Sequence, residues 1–383
     1  MRVSVLFTLT ATVLLYSTCP SWTYAAPTPI PDDAQSQPLS DPFSGFEKTI
    51  ESALATAVDT IQSLNFGVAQ PESDQTDWSC VPSEEHPYPV IMLHGLFAPG
   101  FESWRTMAKR LSDVGYCVYQ LKYGMLPGFE TLGGISDIRE SAKELDTYIT
   151  KVLDTTHAKK VDLIGHSEGT VVARWYLKFL DRQGQVQQQE QEQELQEREG
   201  RVRSLVSIAP VGKGTSAKGL LSMTKVLGVF DDLAEVVQPL CAACVQLLEG
   251  SDLLQQLYGQ DGLKGEVEEV RYLNIITSRD DMVTPFTNGV MAIPDESQME
   301  VVTEQEDTTS KVQVRPRPSS LMQNLVIENY CDYNPDHSNH FGIFQSPFAF
   351  HATNTFLSSA DSSSMLDTNN ILPCTLDPES SAS

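Results

Sequence analysis

Positive charge is scarce in this chain. Its 383 residues carry 26 Lys and Arg against 51 Asp and Glu, a formal net charge of −25. A surface this acidic repels phosphate backbones, and without a Lys/Arg cluster there is no footprint for nucleic acid, which sets that class of partner aside. The chain also lacks any Asn-x-Ser/Thr acceptor with x other than Pro, so conventional N-glycosylation is not expected. A single CxxC, Cys241-Ala-Ala-Cys244, has no second CxxC or spaced His pair to complete a zinc site. No metal or cofactor is expected.

At the start of the chain, Arg2 precedes an apolar run from Val3 to Tyr16, shorter than the roughly 20 residues a spanning helix needs. Thr23 and Ala25 then have small-x-small spacing, and the layout is that of a secretory signal peptide, residues 1–25, cut near Ala25. The expectation is a secreted, extracellular protein with no transmembrane segment in its mature form. The cysteines agree with export. Of the seven, Cys19 leaves with the signal, and an even set remains, as in a disulfide framework. Six cysteines allow 15 pairings and sequence alone does not choose among them. The pairing adopted as an expectation is Cys80 with Cys117, Cys241 with Cys244 and Cys331 with Cys374, with a redox role for the CxxC as the rival.

Residues 26–77 divide in two. Pro27 to Ser40 lacks apolar periodicity and reads as disordered. Ser44 and Glu47 then have capping-box spacing ahead of Phe46, Ile50, Leu54, Val58, Ile61 and Leu64, the pattern of an amphipathic helix. From residue 78 to 383 a single domain is expected. Its strand candidates are Val90–Leu93, Cys117–Lys122, Val161–Ile164, Ser204–Ile208, Val270–Ile276 and Leu325–Glu328, with helices at Glu102–Val114 and Ile138–Leu153 between the first three. Strands alternating with helices predict an α/β architecture, a mostly parallel sheet covered on both faces. Two polar stretches, 183–201 and 294–319, are expected as surface insertions.

Chemistry concentrates at Gly165-His166-Ser167-Glu168-Gly169, where a strand passes into an apolar helix. Gly165 and Gly169 remove side chains that would collide as the chain turns sharply around Ser167, and such an elbow holds a nucleophilic hydroxyl in the open at the end of the sheet. A serine needs a base, and the base needs an orienting acid. Asp280 and Asp281 follow a strand end and either can be that acid. Asp336-His337-Ser338-Asn339-His340-Phe341 comes next, giving the chain order Ser, Asp, His. His340, backed by Phe-Gly-Ile, is preferred to His337 as the base. For the oxyanion, the amides of Glu168 and of Leu96, in the loop after the first strand, are the candidate donors. His94 reads as a loop brace, His351 as structural within a terminal helix, and His86 and His157 as loop residues away from any strand end.

The segments HPYPVIMLHGLFAPGFESWRTMAKRLSDVGYCVYQLKYG, VDLIGHSEGTVVARWYLKFL, TSRDDMVTPFTNGV and NPDHSNHFGI together resemble the secreted class 2 lipases of the α/β-hydrolase superfamily, from about Trp78 to Phe356. The resemblance implies an α/β-hydrolase fold lacking the first two strands of larger members, a compact lipase core and no catalytic metal. It implies Ser167 as nucleophile, His340 as base, and Leu96 with Glu168 as the oxyanion pair. The family's Asp followed three residues later by Val selects Asp280, with Val283, over Asp281. Glu168 and Thr170 depart from a more usual Gln and Gly. The apolar residues within 214–265, Leu220 to Leu248, are candidates for a helical lid or acyl-pocket wall, and equally for core helices. The function expected is ester hydrolysis, with acylglycerol or another ester as substrate and transient contact with a lipid interface. The alternatives are acyl transfer or polyester hydrolysis on the same residues, or a lipid-binding protein without turnover. Oligomeric state is left open.

Overall fold

The structure is a computed structural model. It describes residues 76–97, 102–125, 133–181, 200–216, 218–219, 241–259, 267, 270–291, 299–306, 309–316, 322–331, 338–359, 366 and 374. The expected signal peptide, the N-terminal disordered stretch and amphipathic helix, the insertion at 183–199, His337 and the lid candidates 220–240 lie outside the described residues.

Six strands form one parallel sheet: β1 (Val90–Leu93), β2 (Val118–Leu121), β3 (Val161–His166), β4 (Val202–Ile208), β5 (Arg271–Ile276) and β8 (Met322–Val326), in the order β2-β1-β3-β4-β5-β8. The inner strands β1, β3 and β5 are buried on both faces, as a parallel sheet covered on two sides requires, while edge strand β2 is buried on alternate residues. Side chains alternate between the two layers. Ile91, Leu93, Leu163 and Leu205 join the core beneath helices α2 (Ile138–Thr156) and α3 (Glu168–Phe179). Val90, Met92, Ile164 and Val206 face α1 (Glu102–Asp113) and α6 (Pro347–Ser358) on the other side. Two short helices, α4 (Ala242–Gln246) and α5 (Asp252–Tyr258), complete the first layer. This is the α/β-hydrolase architecture.

The order of the strands decides where a site can form. The chain leaves β1 over one face to reach β2 and leaves β3 over the other to reach β4, so the loops after β1 and β3 part company. A crevice opens where adjacent parallel strands send their chains to opposite faces. Leu96 and Ser167 stand at that point.

Three departures from the expected elements have physical reasons. The insertion at 294–319 contains an antiparallel hairpin, β6 (Met299–Glu306) with β7 (Thr309–Pro316), in which Val301 faces Val314 and Thr303 faces Val312. Its period-two pattern is masked by the surrounding acidic residues. β8 starts three residues earlier than expected because Gln323 and Asn324 are satisfied inside the fold. Asn324 bonds the Met291 amide and carbonyl at 3.1 and 2.9 Å, and Gln323 bonds the Leu366 amide and carbonyl at 3.0 and 3.2 Å. α2 runs on to Thr156 and ends in a left-handed cap at His157, φ 56°.

The disulfides are Cys80–Cys117, Cys241–Cys244 and Cys331–Cys374, as expected. The first and third close loops of 37 and 43 residues, each worth about 4 kcal/mol in the chain-entropy account. The buried CxxC pair caps α4, where the Cys241 sulfur accepts from the Cys244 amide at 3.2 Å.

Candidate active site

Ser167 sits at the end of β3 with φ 52° and ψ −120°, a conformation costing a non-glycine residue about 1–3 kcal/mol. The surroundings enforce it. Its amide donates to the Ile208 carbonyl of β4 at 3.0 Å, and its carbonyl accepts from the Thr170 amide at 3.1 Å and the Thr170 hydroxyl at 2.7 Å. A Cβ at Gly165 would lie 2.8 Å from the Gly169 backbone, and one at Gly169 would lie 2.6 Å from the Leu93 and His94 carbonyls. Both glycines are therefore needed for the turn to close against β1.

His340 and Asp280 converge on that hydroxyl. Ser167 Oγ–H donates to His340 Nε2 over 2.9 Å, and His340 Nδ1–H donates to Asp280 Oδ2 over 2.8 Å. The other carboxylate oxygen of Asp280 accepts from the amides of Met282 and Val283 at 2.9 and 2.7 Å. Burial pushes this carboxyl up. The adjacent imidazole, its hydrogen bond and the two amides outweigh burial and hold Asp280 below its ordinary value of 3.8, so it stays ionised. Asp281 is exposed and does not join the line.

His166 carries no role in the sequence reading, although it stands inside the elbow string. Its Nε2–H donates to the His340 carbonyl over 2.8 Å, tying the elbow to the loop that carries the imidazole. Burial and the neighbouring His340 push His166 down to about 3, so it remains a neutral donor. Thr277 is a second unpredicted brace, its hydroxyl bonding the Ser338 carbonyl at 2.8 Å and Glu328 at 2.6 Å. Neither brace is marked by a sequence signal of its own; only the folded contacts reveal them.

The oxyanion candidates flank the serine. The Glu168 amide opens α3, where an N–H has no intrahelical partner and lies at the positive end of the helix dipole. The loop carrying Leu96 presses on the elbow: a Cβ at Gly95 would be 3.0 Å from Ser167 Cβ. His94 braces this loop, stacked on Tyr123 at 4.2 Å with Nδ1–H donating to the Gly95 carbonyl over 2.9 Å. Burial pushes His94 down to about 4 and it stays neutral. His86 packs on Tyr116, ring centroids 3.9 Å apart, and His351 lies within α6.

The Glu168 side chain is fully buried, and burial raises its carboxyl well above the usual range. Ionising it would cost several kcal/mol of desolvation, whereas the helix dipole returns about 2 kcal/mol at most. Burial outweighs the Tyr123 hydrogen bond and the dipole, so the balance shifts toward the acid form.

In one respect the expectation fails. The sequence predicts an elbow that presents its hydroxyl in the open, yet Ser167 is only 2% exposed and His340 1%. A turn motif fixes where a hydroxyl points and says nothing of what packs over it. The Gly95 loop and the His340 ring both pack against it.

The family description Lipase (class 2) matches residues 87–316, more than half of the chain. The chain belongs to the class 2 lipase family. Two triacylglycerol lipases align with this family member at 37% identity over 93 residues. One, from Pseudarthrobacter phenanthrenivorans, is matched over 23% of this chain and 27% of its own length; the other, from Burkholderia plantarii, over 23% and 24%. The chain thus spans about a quarter of the length of these relatives. It is also similar to the crystal structure of Aspergillus fumigatus lipase B, at 16% identity and a TM-score of 0.49, over 81% of this chain and 64% of that one. A thermophilic esterase from Thermogutta terrifontis is similar at 14% identity and a TM-score of 0.40, over 72% and 90%.

Proposed function

We propose that this class 2 lipase family member is a secreted carboxylic ester hydrolase that cleaves acylglycerol esters through an acyl-enzyme on Ser167. The observation that carries the reading is the unbroken hydrogen-bonded line Asp280–His340–Ser167 at the strand crossover. His340 takes the hydroxyl proton as Oγ attacks the ester carbonyl, and ionised Asp280 stabilises the resulting imidazolium. The amides of Leu96 and Glu168 hold the oxyanion. The imidazolium returns its proton to the leaving alcohol, and water then cleaves the acyl-serine by the same route in reverse. Three disulfides and the signal-like leader support secretion. Among the described residues no helix is long and apolar enough to cross a membrane.

The test is a hydrolysis profile across ester chain lengths, with Ser167→Ala beside the wild type. The variant is expected to lose turnover by ~10⁶ on every ester. Near-full activity in Ser167→Ala would refute the assignment, and product analysis with alcohol acceptors and polyesters separates hydrolysis of glycerides from acyl transfer and polymer cleavage.

A further inference from the structure

The ester-hydrolysis reading uses the Glu168 amide and leaves its carboxyl without a task, although that carboxyl is sealed in the most constrained part of the site. The side chain is fully buried, and among the described residues the one hydrogen-bonding group that acts on its carboxyl is the Tyr123 hydroxyl. That hydroxyl gives its one proton to the His94 carbonyl, which leaves it able only to accept from a protonated Glu168. The carboxyl is packed against Gly134, where a Cβ would run into Oε2 and would lie 3.0 Å from the Gly95 carbonyl and 3.2 Å from Leu96 Cα. Gly134, at φ 71°, is thus a thin spacer between the Glu168 carboxyl and the loop that offers the Leu96 amide. It is held from behind, its amide donating to the Tyr123 carbonyl over 3.0 Å, while the Ala243 amide of α4 donates to the Ile135 carbonyl over 3.4 Å.

We infer that Glu168 works as a buried, uncharged carboxylic acid, a positioning residue that seats Gly134 against the Leu96 loop. The inference rests on the oxyanion role proposed for Leu96. The ionisable groups around Glu168 give a charge no compensation. Tyr123, after β2, is raised well above its ordinary value by burial and by Glu168 itself; His94, after β1, is neutral, with Lys122 further disfavouring its charge. Glu144 of α2 is a further acidic group acting on Tyr123, and neutral His166 stands in the elbow beside His340. No cation is among the groups acting on Glu168. A carboxylate created here would be a buried charge with no cation acting on it, relieved by opening the seat to water. An amide fits the same space without a proton to lose.

The experiment pairs infrared difference spectra of the full chain, wild type minus Glu168→Gln, with kcat on a soluble ester over the same pH series. The wild type is expected to show a protonated-carboxyl stretch at neutral pH that disappears at alkaline pH. Its kcat should fall in step by ~100-fold, the scale of one lost oxyanion donor, while Glu168→Gln keeps its own kcat level through that range. A carboxylate band at neutral pH, or an equal alkaline fall in Glu168→Gln, overturns the inference. If Glu168→Gln does not fold, the wild-type series alone decides: loss of the acid band and loss of kcat at the same pH support the inference, and separate transitions overturn it. The spectra read Glu168 whatever the nucleophile is, so failure of the Ser167 assignment shows separately, as turnover surviving in Ser167→Ala.

Discussion

Replacing Asp280 by Asn keeps the side chain's shape and removes its charge, and the hydrogen bonds around it dictate the consequence. One carboxylate oxygen accepts from Met282 and Val283 at 2.9 and 2.7 Å, and the other faces His340 Nδ1 at 2.8 Å. An amide satisfies the two backbone donors only with its oxygen on their side, which turns its NH₂ toward Nδ1. Nδ1 must then accept, so the ring proton moves to Nε2, the nitrogen that has to take the Ser167 proton. A wrong tautomer of this kind lowers kcat by ~10⁴, about 5.4 kcal/mol at 1.36 kcal/mol per decade. The flipped amide would instead leave two buried N–H donors unpaired at about 1–3 kcal/mol each, so neither orientation escapes. The assay is kcat on a soluble ester at neutral pH, with Asp281→Asn as the control. That exposed residue is expected to change the rate no more than ~2-fold, the scale of a surface substitution. Asp280→Asn within tenfold of wild type, or a large loss in Asp281→Asn, would refute the reasoning.

Burial has two further consequences. Glu168 has a folded pKa raised above its ordinary 4.5, so above that value the unfolded chain releases a proton the folded chain keeps, and stability falls as pH rises. The stability of Glu168→Gln relative to wild type should therefore grow by about 1.4 kcal/mol per pH unit through urea titrations above about pH 5, and a difference that does not change with pH would contradict a neutral Glu168. Ser167 is 2% exposed, so a long-chain ester needs side chains around the hydroxyl to shift. Turnover of a long-chain ester is expected to jump once the substrate forms an emulsion, and a hyperbolic response straight through the solubility limit would count against a displaceable cover.

The sheet is legible in the sequence because its strands are buried on both faces: Val90–Leu93 and Val161–Ile164 read as strands from composition alone. The elbow is legible because two glycines and a serine at fixed spacing have a steric meaning. The hidden features depend on distant partners. Asn324 looks like a strand breaker until Met291 satisfies it, and His166 looks incidental until the His340 carbonyl comes within 2.8 Å. Glu168 reads as a polar helix start, and only the fold shows its carboxyl sealed against Gly134. Asp280 and Asp281 are equivalent by position; the spacing to Val283 that the family resemblance supplies favours Asp280, and His340 bonds it.

The most direct test of the account is stoichiometric reaction with a fluorophosphonate followed by peptide mass mapping. One phosphonyl group per chain on Ser167, absent in Ser167→Ala, is the predicted result. Ester turnover by a protein whose Ser167 stays unmodified after complete inactivation, or whose label lies elsewhere, would contradict it.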